Sequence, residues 1–342
     1  NVKENGFESS IVSWLVQHNG YEQGSNADYN KEIAMDETRL FRFLNTTQAD
    51  KMKQLRLEND PLEKEKFLQR LDQSLHTNGV IDLLRKGFRY KHLVLDMFYV
   101  RPSPGNETAA KLYAQNIFSV TRQLQYSRQN PLLALDVCLF LNGLPIATME
   151  LKNQLTKQNA ADAVKQYKDE RTPDEVLFGF KRCIVHFAVD DNEVRMCTEL
   201  KGQKSWFLPF NKGYNDGAGN PPNPDGIKTD YLWKEILRKD DFSNIIENYV
   251  QIICDEDEET HKKSYKQIFP RYHQLQLVTS LLADAKRDGV GKRYLIQHSA
   301  GSGKSNSIAW LAHQLVTLKD ATDHNIFDTV IVVTDRVNLD KQ

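Results

Sequence analysis

Residues 132–154, LLALDVCLFLNGLPIATMELKNQ, constrain the fold more than any other stretch: two apolar runs flank Asn142 and Gly143, a pair that favours the tight turn of an antiparallel hairpin. Three charges, Asp136, Glu150 and Lys152, nevertheless sit in or at the end of those runs. Side chains alternate between the two faces of a strand. Leu133, Leu135, Val137, Leu139 and Leu141 therefore share one face, and Asp136 shares the other with Ala134, Cys138 and Phe140. On the second run Ala147, Met149 and Leu151 form an apolar face opposite Ile146, Thr148, Glu150 and Lys152.

A strict two-residue turn pairs Leu141 with Leu144 and hence Asp136 with Met149, setting the charge against an apolar face. An odd-length loop or a one-residue bulge restores agreement and gathers Asp136, Glu150 and Lys152 on one face. Gly143 suits such an irregularity, so the turn is expected to depart from a simple type I′ geometry. Glu150 and Lys152 then stand about 6–7 Å apart along the strand. Two carboxylates so close repel, and Mg2+, which prefers oxygen ligands, relieves the repulsion when held by Asp136 and Glu150. Lys152 can orient or deprotonate a water, or stabilise charge on a phosphate. The same charges also suit a solvent-facing sheet edge, and the hairpin alone leaves both readings open.

At 342 residues the chain exceeds one ordinary core. With 40% hydrophobic and 27% charged residues and a net charge of -1, it is globular and shows no overall basic excess, so any nucleic-acid surface must be local. The four cysteines, Cys138, Cys183, Cys197 and Cys254, form no C-x-x-C pair and read as reduced thiols of a cytoplasmic protein. No run of about 18 apolar residues is present to span a membrane. The start at Asn1 and the ending VIVVTDRVNLDKQ suggest a piece of a longer chain.

Residues 6–18 place Phe7, Ile11, Trp14, Leu15 and His18 at helical spacing, and residues 40–84 continue helical. On the first helix Glu8 reads as a solvated charge, the other reading being an additional carboxylate near a metal. Residues 91–100 read as a strand, 116–126 as a strand or short helix, 158–171 as a helix and 183–200 as a second hairpin. Residues 207–226 concentrate Gly, Pro and Asn and read as a long loop, and residues 230–253 as helical. The charge run DEDEETHKK, residues 255–263, reads as a linker, which divides the chain into domains 1–255 and 256–342.

In the second domain, RYLIQHSAGSGKSNSIAWLAHQLVTL reads as strand, glycine loop and helix, and DTVIVVTD as a further buried strand, the beginning of a parallel α/β sheet. HSAGSGKS carries a G-S-G-K-S core: Gly301 and Gly303 let backbone N–H groups converge on phosphate oxygens around Ser302, Lys304 reaches the outer phosphates and Ser305 ligates magnesium. ATP is the ligand this loop implies. His298 stands where the full motif has its first glycine.

This segment resembles the first motif of superfamily 2 helicases and translocases. FPRYHQLQLV is similar to that family's adenine-reading segment, which gives Gln274 the base contact, and VVTDRVNLDKQ resembles a segment that lies along nucleic-acid backbone. The family's Asp-Glu box is expected beyond Gln342, so this stretch is expected to bind ATP without hydrolysing it.

LDVCLFLNGLPIATMELKNQ in turn resembles the PD-(D/E)xK nuclease core, a mixed sheet flanked by helices, and the second domain the start of a RecA-like fold. With ADAVKQYKDER, HFAVDDNEVRM, WFLPFNKG and TDYLWKEIL in order before the ATP loop, nearly the whole chain resembles the restriction subunit of type I restriction-modification enzymes. That resemblance implies an endonuclease in which Asp136 and Glu150 bind Mg2+ and Lys152 assists hydrolysis of double-stranded DNA. It also implies ATP-driven translocation and partnership with methyltransferase (M) and specificity (S) subunits. Many such nucleases carry a Q-x-x-x-Y motif on the following helix; here Ala163 stands four before Tyr167, leaving Gln166 and Tyr167 as supporting residues or an ordinary helix-surface pair. A stand-alone nuclease-helicase in repair or phage defence, and a nucleotide-regulated scaffold with an inert nuclease fold, remain alternatives.

Overall fold

In a computed structural model of the chain, the described residues are 4–102, 105–153, 157–257, 260–320 and 322–333. Two compact units are present, one formed by residues 1–102 and 106–269, the other by 103–105 and 270–342.

The first unit opens with α1 (Glu4–Gln17), whose Phe7, Ile11 and Leu15 are buried at one-turn spacing. Short strands β1 (Glu22–Gln23), β2 (Tyr29–Asn30) and β3 (Met35–Asp36) lead to α2 (Glu37–Thr47), where the Asp36 carboxylate caps the Arg39 N–H at 3.0 Å. Helices α3 (Ala49–Leu55), α4 (Pro61–Asn78) and α5 (Val80–Lys86) fill the expected helical region. Asp60 and Pro61 start α4, a capping acceptor followed by a residue that has no N–H to satisfy. The strand expected over residues 91–100 shrinks to a ribbon of β4 (Phe88–Tyr90) and β5 (Leu93–Leu95), followed by α6 (Glu107–Ala114).

The core of the unit is a mixed sheet in the order β1-β6-β7-β8-β9-β10-β11. Its strands are β6 (Phe118–Gln125), β7 (Ala134–Leu141), β8 (Leu144–Leu151), β9 (Val185–Val189), β10 (Val194–Cys197) and β11 (Leu208–Pro209). Two pairs are parallel, β1 with β6 and β8 with β9; the other four are antiparallel. Parallel pairing of β8 and β9 requires a crossover, and α7 (Ala160–Glu170) supplies it. Every residue of β8 is buried, as are Leu135, Val137, Leu139 and Leu141 of β7, so the sheet is covered on both faces. Each buried Leu, Ile, Val or Met among them contributes about 1.5–3 kcal/mol by leaving water.

Residues 230–253 are less uniform than their pattern: a π-helical turn (Leu232–Ile236), then α8 (Lys239–Asn248), then β12 (Gln251–Glu256). Among the described residues of the charge run expected to be a linker, Asp255, Glu256 and Lys263 instead lie on the paired strands of a ribbon, because β12 pairs with β13 (Lys263–Ile268). Opposite charges face across it, Lys266 to Asp255 at 2.8 Å and Lys263 to Glu256 at 3.9 Å. The first unit consequently runs to Phe269 and not to residue 255.

The second unit contains α9 (Tyr272–Asp288) and α10 (Lys304–Val316), with Leu275, Val278, Leu281 and Trp310 buried. The strands expected near residues 293–297 and 328–333 are not hydrogen-bonded into a sheet among the described residues. Leu295 is 100% exposed and Val333 87%, because a strand exists only through a ladder and neither run has a ladder partner there. Residues 334–342, which carry most of the segment likened to a backbone-contacting motif, lie outside the described residues.

Candidate active site

The hairpin turn corrects one expectation and meets another. Leu141 pairs with Leu144, and Asn142 and Gly143 take φ of +52° and +84°, so the turn is the two-residue form that parity argued against. A Cβ on Gly143 would collide with the Asp36 carbonyl and with Leu40, which makes glycine obligatory there. The required irregularity lies further along, where Leu139 pairs with Ala147 but Phe140 with Pro145, leaving Ile146 as an extra residue. Pro145 has no N–H for the ladder, and a bulge beside it is the natural result. Past the bulge Val137 pairs with Met149 and Cys138 with Thr148, which sets Asp136 on the face of Thr148 and Glu150.

Glu150 is fully buried, which removes the solvent-facing edge as an account of it. The Arg171 Nε donates to Glu150 Oε1 at 2.6 Å, while Glu150 Oε2 is buried without a hydrogen-bond partner. Burial, and next the charge of Asp136, push the Glu150 carboxyl up to about 8, outweighing what Arg171 and Lys152 return. Burial alone would lower the Arg171 guanidinium, but the charge of Glu150 and the hydrogen bond to it carry it up, so it stays protonated. Asp136 is half-buried; its Oδ2 accepts the Leu151 N–H at 2.7 Å and its Oδ1 the Gln123 amide at 3.2 Å. Lys152 is half-buried just past β8, its backbone N–H bound to the Val189 carbonyl at 2.8 Å.

Glu8 is not a solvated charge. It is 4% exposed and accepts from Arg122 Nε at 2.6 Å and Gln123 Nε2 at 2.7 Å, so Gln123 bridges Glu8 and Asp136. Its place was legible, since Glu8 and Val12 continue the buried stripe of Phe7, Ile11 and Leu15 by one-turn steps. Among the described residues no three His, Cys, Asp or Glu side chains are close enough to share a metal ion. A cation here would take Asp136 and Glu150 from the protein and complete its shell elsewhere. The free, buried Glu150 Oε2 and the oxygen-only donor set fit a hard divalent ion that keeps most of its water.

Tyr167 is buried, its hydroxyl 2.8 Å from Thr148 Oγ1, which in turn lies 2.7 Å from His186 Nδ1. Burial, and then the charge of Glu150, raise the Tyr167 phenol well above its ordinary value. Gln166 is half-buried on α7, its Nε2 3.4 Å from Glu170 and its buried Oε1 without a partner. Tyr167 therefore backs the Glu150 face from within the core, and Gln166 is not brought to the acids by any hydrogen bond among the described residues. Arg171 and Gln123 were missed. Arg171 carried a signal, because it extends the buried face of Ala163, Val164 and Tyr167 by another turn.

In the second unit, Gly301 and Gly303 have φ of +72° and +80°, and α10 starts at Lys304. Lys304 Nζ donates to the His298 carbonyl at 3.3 Å, folding back over the loop, while Ser305 is half-buried in the first turn. His298, at the place of the missing glycine, has Nδ1 3.2 Å from Ser302 Oγ. Gln274 is buried against this loop: its Nε2 donates to the Gly303 carbonyl at 2.8 Å and the Ser302 carbonyl at 3.2 Å, and its Oε1 accepts the Arg271 N–H. The amide expected to read a base is thus engaged with loop backbone. A Cβ on Gly303 would strike that amide.

Fold and clusters together define a two-part α/β protein, with paired carboxylates on adjacent strands of a mixed sheet and a glycine loop at a helix start. The family described as type I restriction enzyme R protein N terminus matches residues 1–205, and the chain belongs to that family. Residues 273–342 match the family described as SWI2/SNF2 ATPase. The type I restriction enzyme HindI endonuclease subunit of Haemophilus influenzae is 26% identical over 239 residues, 67% of this chain and 21% of that protein. A Methanocaldococcus jannaschii protein described as the type I restriction enzyme MjaVIIIP endonuclease subunit is 24% identical over 242 residues, again 67% of this chain and 21% of its own length. The chain thus spans about a fifth of the curated relatives it matches. No helix among the described residues is long and apolar enough to cross a membrane.

Proposed function

We propose that the chain is the nuclease-bearing part of a type I restriction R subunit, with a PD-(D/E)xK-type site that hydrolyses unmodified double-stranded DNA away from the recognition sequence. The observation that carries this reading is the register: the bulge at Ile146 puts Asp136 and Glu150 on one face, within the segment matched by the R-protein family.

Asp136 and Glu150 would hold Mg2+, which when bound supplies a positive centre for the charge that builds on the scissile phosphate. Glu150 is fixed by Arg171, and Asp136 by the Leu151 N–H and Gln123. Lys152, on the strand end nearest solvent, would meet the phosphate or orient the attacking water. Gly301, Ser302, Gly303, Lys304 and Ser305 would receive the phosphates of ATP, as the left-handed glycines and helix start favour, with Ser305 toward its Mg2+. ATP-driven translocation would then move DNA past the nuclease. Site choice would lie with the S subunit and methylation with the M subunit, leaving this subunit phosphate contacts and strong salt dependence.

The test is nicking of supercoiled, unmodified plasmid by the full-length subunit with its M and S partners, ATP and Mg2+. Asp136→Ala and Lys152→Ala should abolish cleavage while ATP hydrolysis persists; cleavage that survives either substitution overturns the assignment. Purification of the active protein without M and S subunits would instead indicate a stand-alone nuclease-helicase.

A further inference from the structure

We infer that Arg171 is a positioning residue for cleavage: its guanidinium locks one oxygen of Glu150 and thereby presents the other, free, to a cation shared with Asp136. The inference rests on the cleavage reading of Asp136 and Glu150.

Arg171 is 2% exposed, yet its N–H groups go to four different places. Nε donates to Glu150 Oε1 at 2.6 Å, Nη1 to the Tyr126 hydroxyl at 2.9 Å and to Glu170 Oε2 at 3.2 Å, and Nη2 to the Ala134 carbonyl at 2.9 Å. Tyr126 directly follows β6, Ala134 opens β7 two residues before Asp136, and Glu150 lies on β8. One rigid group thus spans the three strands that carry or flank both acids.

A planar fork can do this; the single ammonium of a lysine cannot satisfy divergent acceptors at once. Stability alone gives a poor account of the pair, because a buried ion pair loses in desolvation about as much as it gains in attraction. Orientation gives a better one. A lone buried carboxylate could rotate either oxygen toward Asp136, whereas here Oε1 is held and Oε2 alone has no partner. The helix position that often carries a glutamine in such nucleases is Ala163, so no amide from that position competes for the role.

The experiment compares Arg171→Lys with the unsubstituted full-length subunit. Without nucleotide, Mn2+ binding is measured by loss of the free-ion paramagnetic resonance signal; in the complete complex, cleavage rate is measured against DNA concentration. Arg171→Lys should melt within a few degrees of the parent, bind Mn2+ at least tenfold more weakly and cleave at least tenfold more slowly at saturating DNA, with half-saturation unchanged. Mn2+ affinity and cleavage at parental levels in folded Arg171→Lys would overturn the positioning role. Should Arg171→Lys not fold, Arg171→Gln is measured in the same way, and failure of both to fold assigns Arg171 a structural role instead. Asp136→Asn separates the two levels: if it cleaves normally the cleavage reading fails, and if it is inactive while Arg171→Lys is normal only the present inference fails.

Discussion

Gln123 occupies the position across the β6–β7 ladder from Asp136, with φ of +46°, and its amide nitrogen lies 3.2 Å from Asp136 Oδ1. The ladder pairs Arg122 with Val137 and Leu124 with Leu135, so a left-handed residue interrupts β6 where it meets the acid. The same nitrogen reaches Glu8 Oε2 at 2.7 Å, and the amide therefore separates two carboxylates that would otherwise face each other.

Substituting Gln123→Gly distinguishes backbone strain from the amide. Glycine accepts the positive φ at no steric cost, so stability should change by no more than about 1 kcal/mol. Loss of a hydrogen bond to a charged group, about 1.5–3 kcal/mol when buried and less at this exposed residue, should slow cleavage about tenfold. Urea titration and plasmid-cleavage rates measured on one preparation check both halves.

The bulge at Ile146 predicts opposite results for two small changes. Inserting one residue between Ile146 and Ala147 slides the rest of β8 by one position and turns Glu150 to the apolar face, so cleavage should vanish and stability fall by about 3–5 kcal/mol as the buried pair with Arg171 is broken. Ile146→Val leaves the register unchanged and should lose only about 0.5–1.5 kcal/mol, with cleavage intact. Denaturation midpoints and cleavage assays on both variants give the comparison.

His186 sets an acid limit. Burial holds its imidazole down to about 3, so the folded chain keeps it neutral while the unfolded chain takes up a proton below the ordinary value of 6.5. Its contribution to stability is complete above 6.5 and is lost as pH falls toward 3, amounting to about 2 kcal/mol between pH 7 and pH 5. Urea midpoints at those two pH values should differ less in His186→Gln, which keeps a hydrogen-bonding group toward Thr148.

Gly303→Ala should abolish tight nucleotide binding for two separable reasons. Alanine in the left-handed region loses about 1–2 kcal/mol, and its Cβ strikes the Gln274 amide. Adding Gln274→Ala removes the collision and leaves the backbone term, so the double variant should recover part of the affinity. Titration of a fluorescent ATP analogue into the full-length protein reads the difference.

The elements that depend on local pattern were legible: α1, α7 and both sheet hairpins follow from period and turn residues. The bulge was required by the parity of Asp136 against Met149, but its position was misplaced because the missing N–H of Pro145 was not weighed against the freedom of Gly143. The run at residues 255–263 looked like a solvated linker since every side chain is polar; that its charges complement one another across a ribbon is a pairing property, invisible along the chain. Arg171 and Gln123 belong to the same category. Each acts on an acid from another strand, and only the assembled sheet brings them there.

The crossover through α7 has a mechanical consequence. Glu150 sits on the strand that enters this connection and Arg171 on the residue after its helix, so acid and counter-ion are two ends of a single loop of chain closed by the β8–β9 pairing. Lifting the helix from the sheet would wet the carboxylate and strip its partner in one movement. Solvent cannot reach the buried oxygen along that path without dismantling the arrangement that aims it.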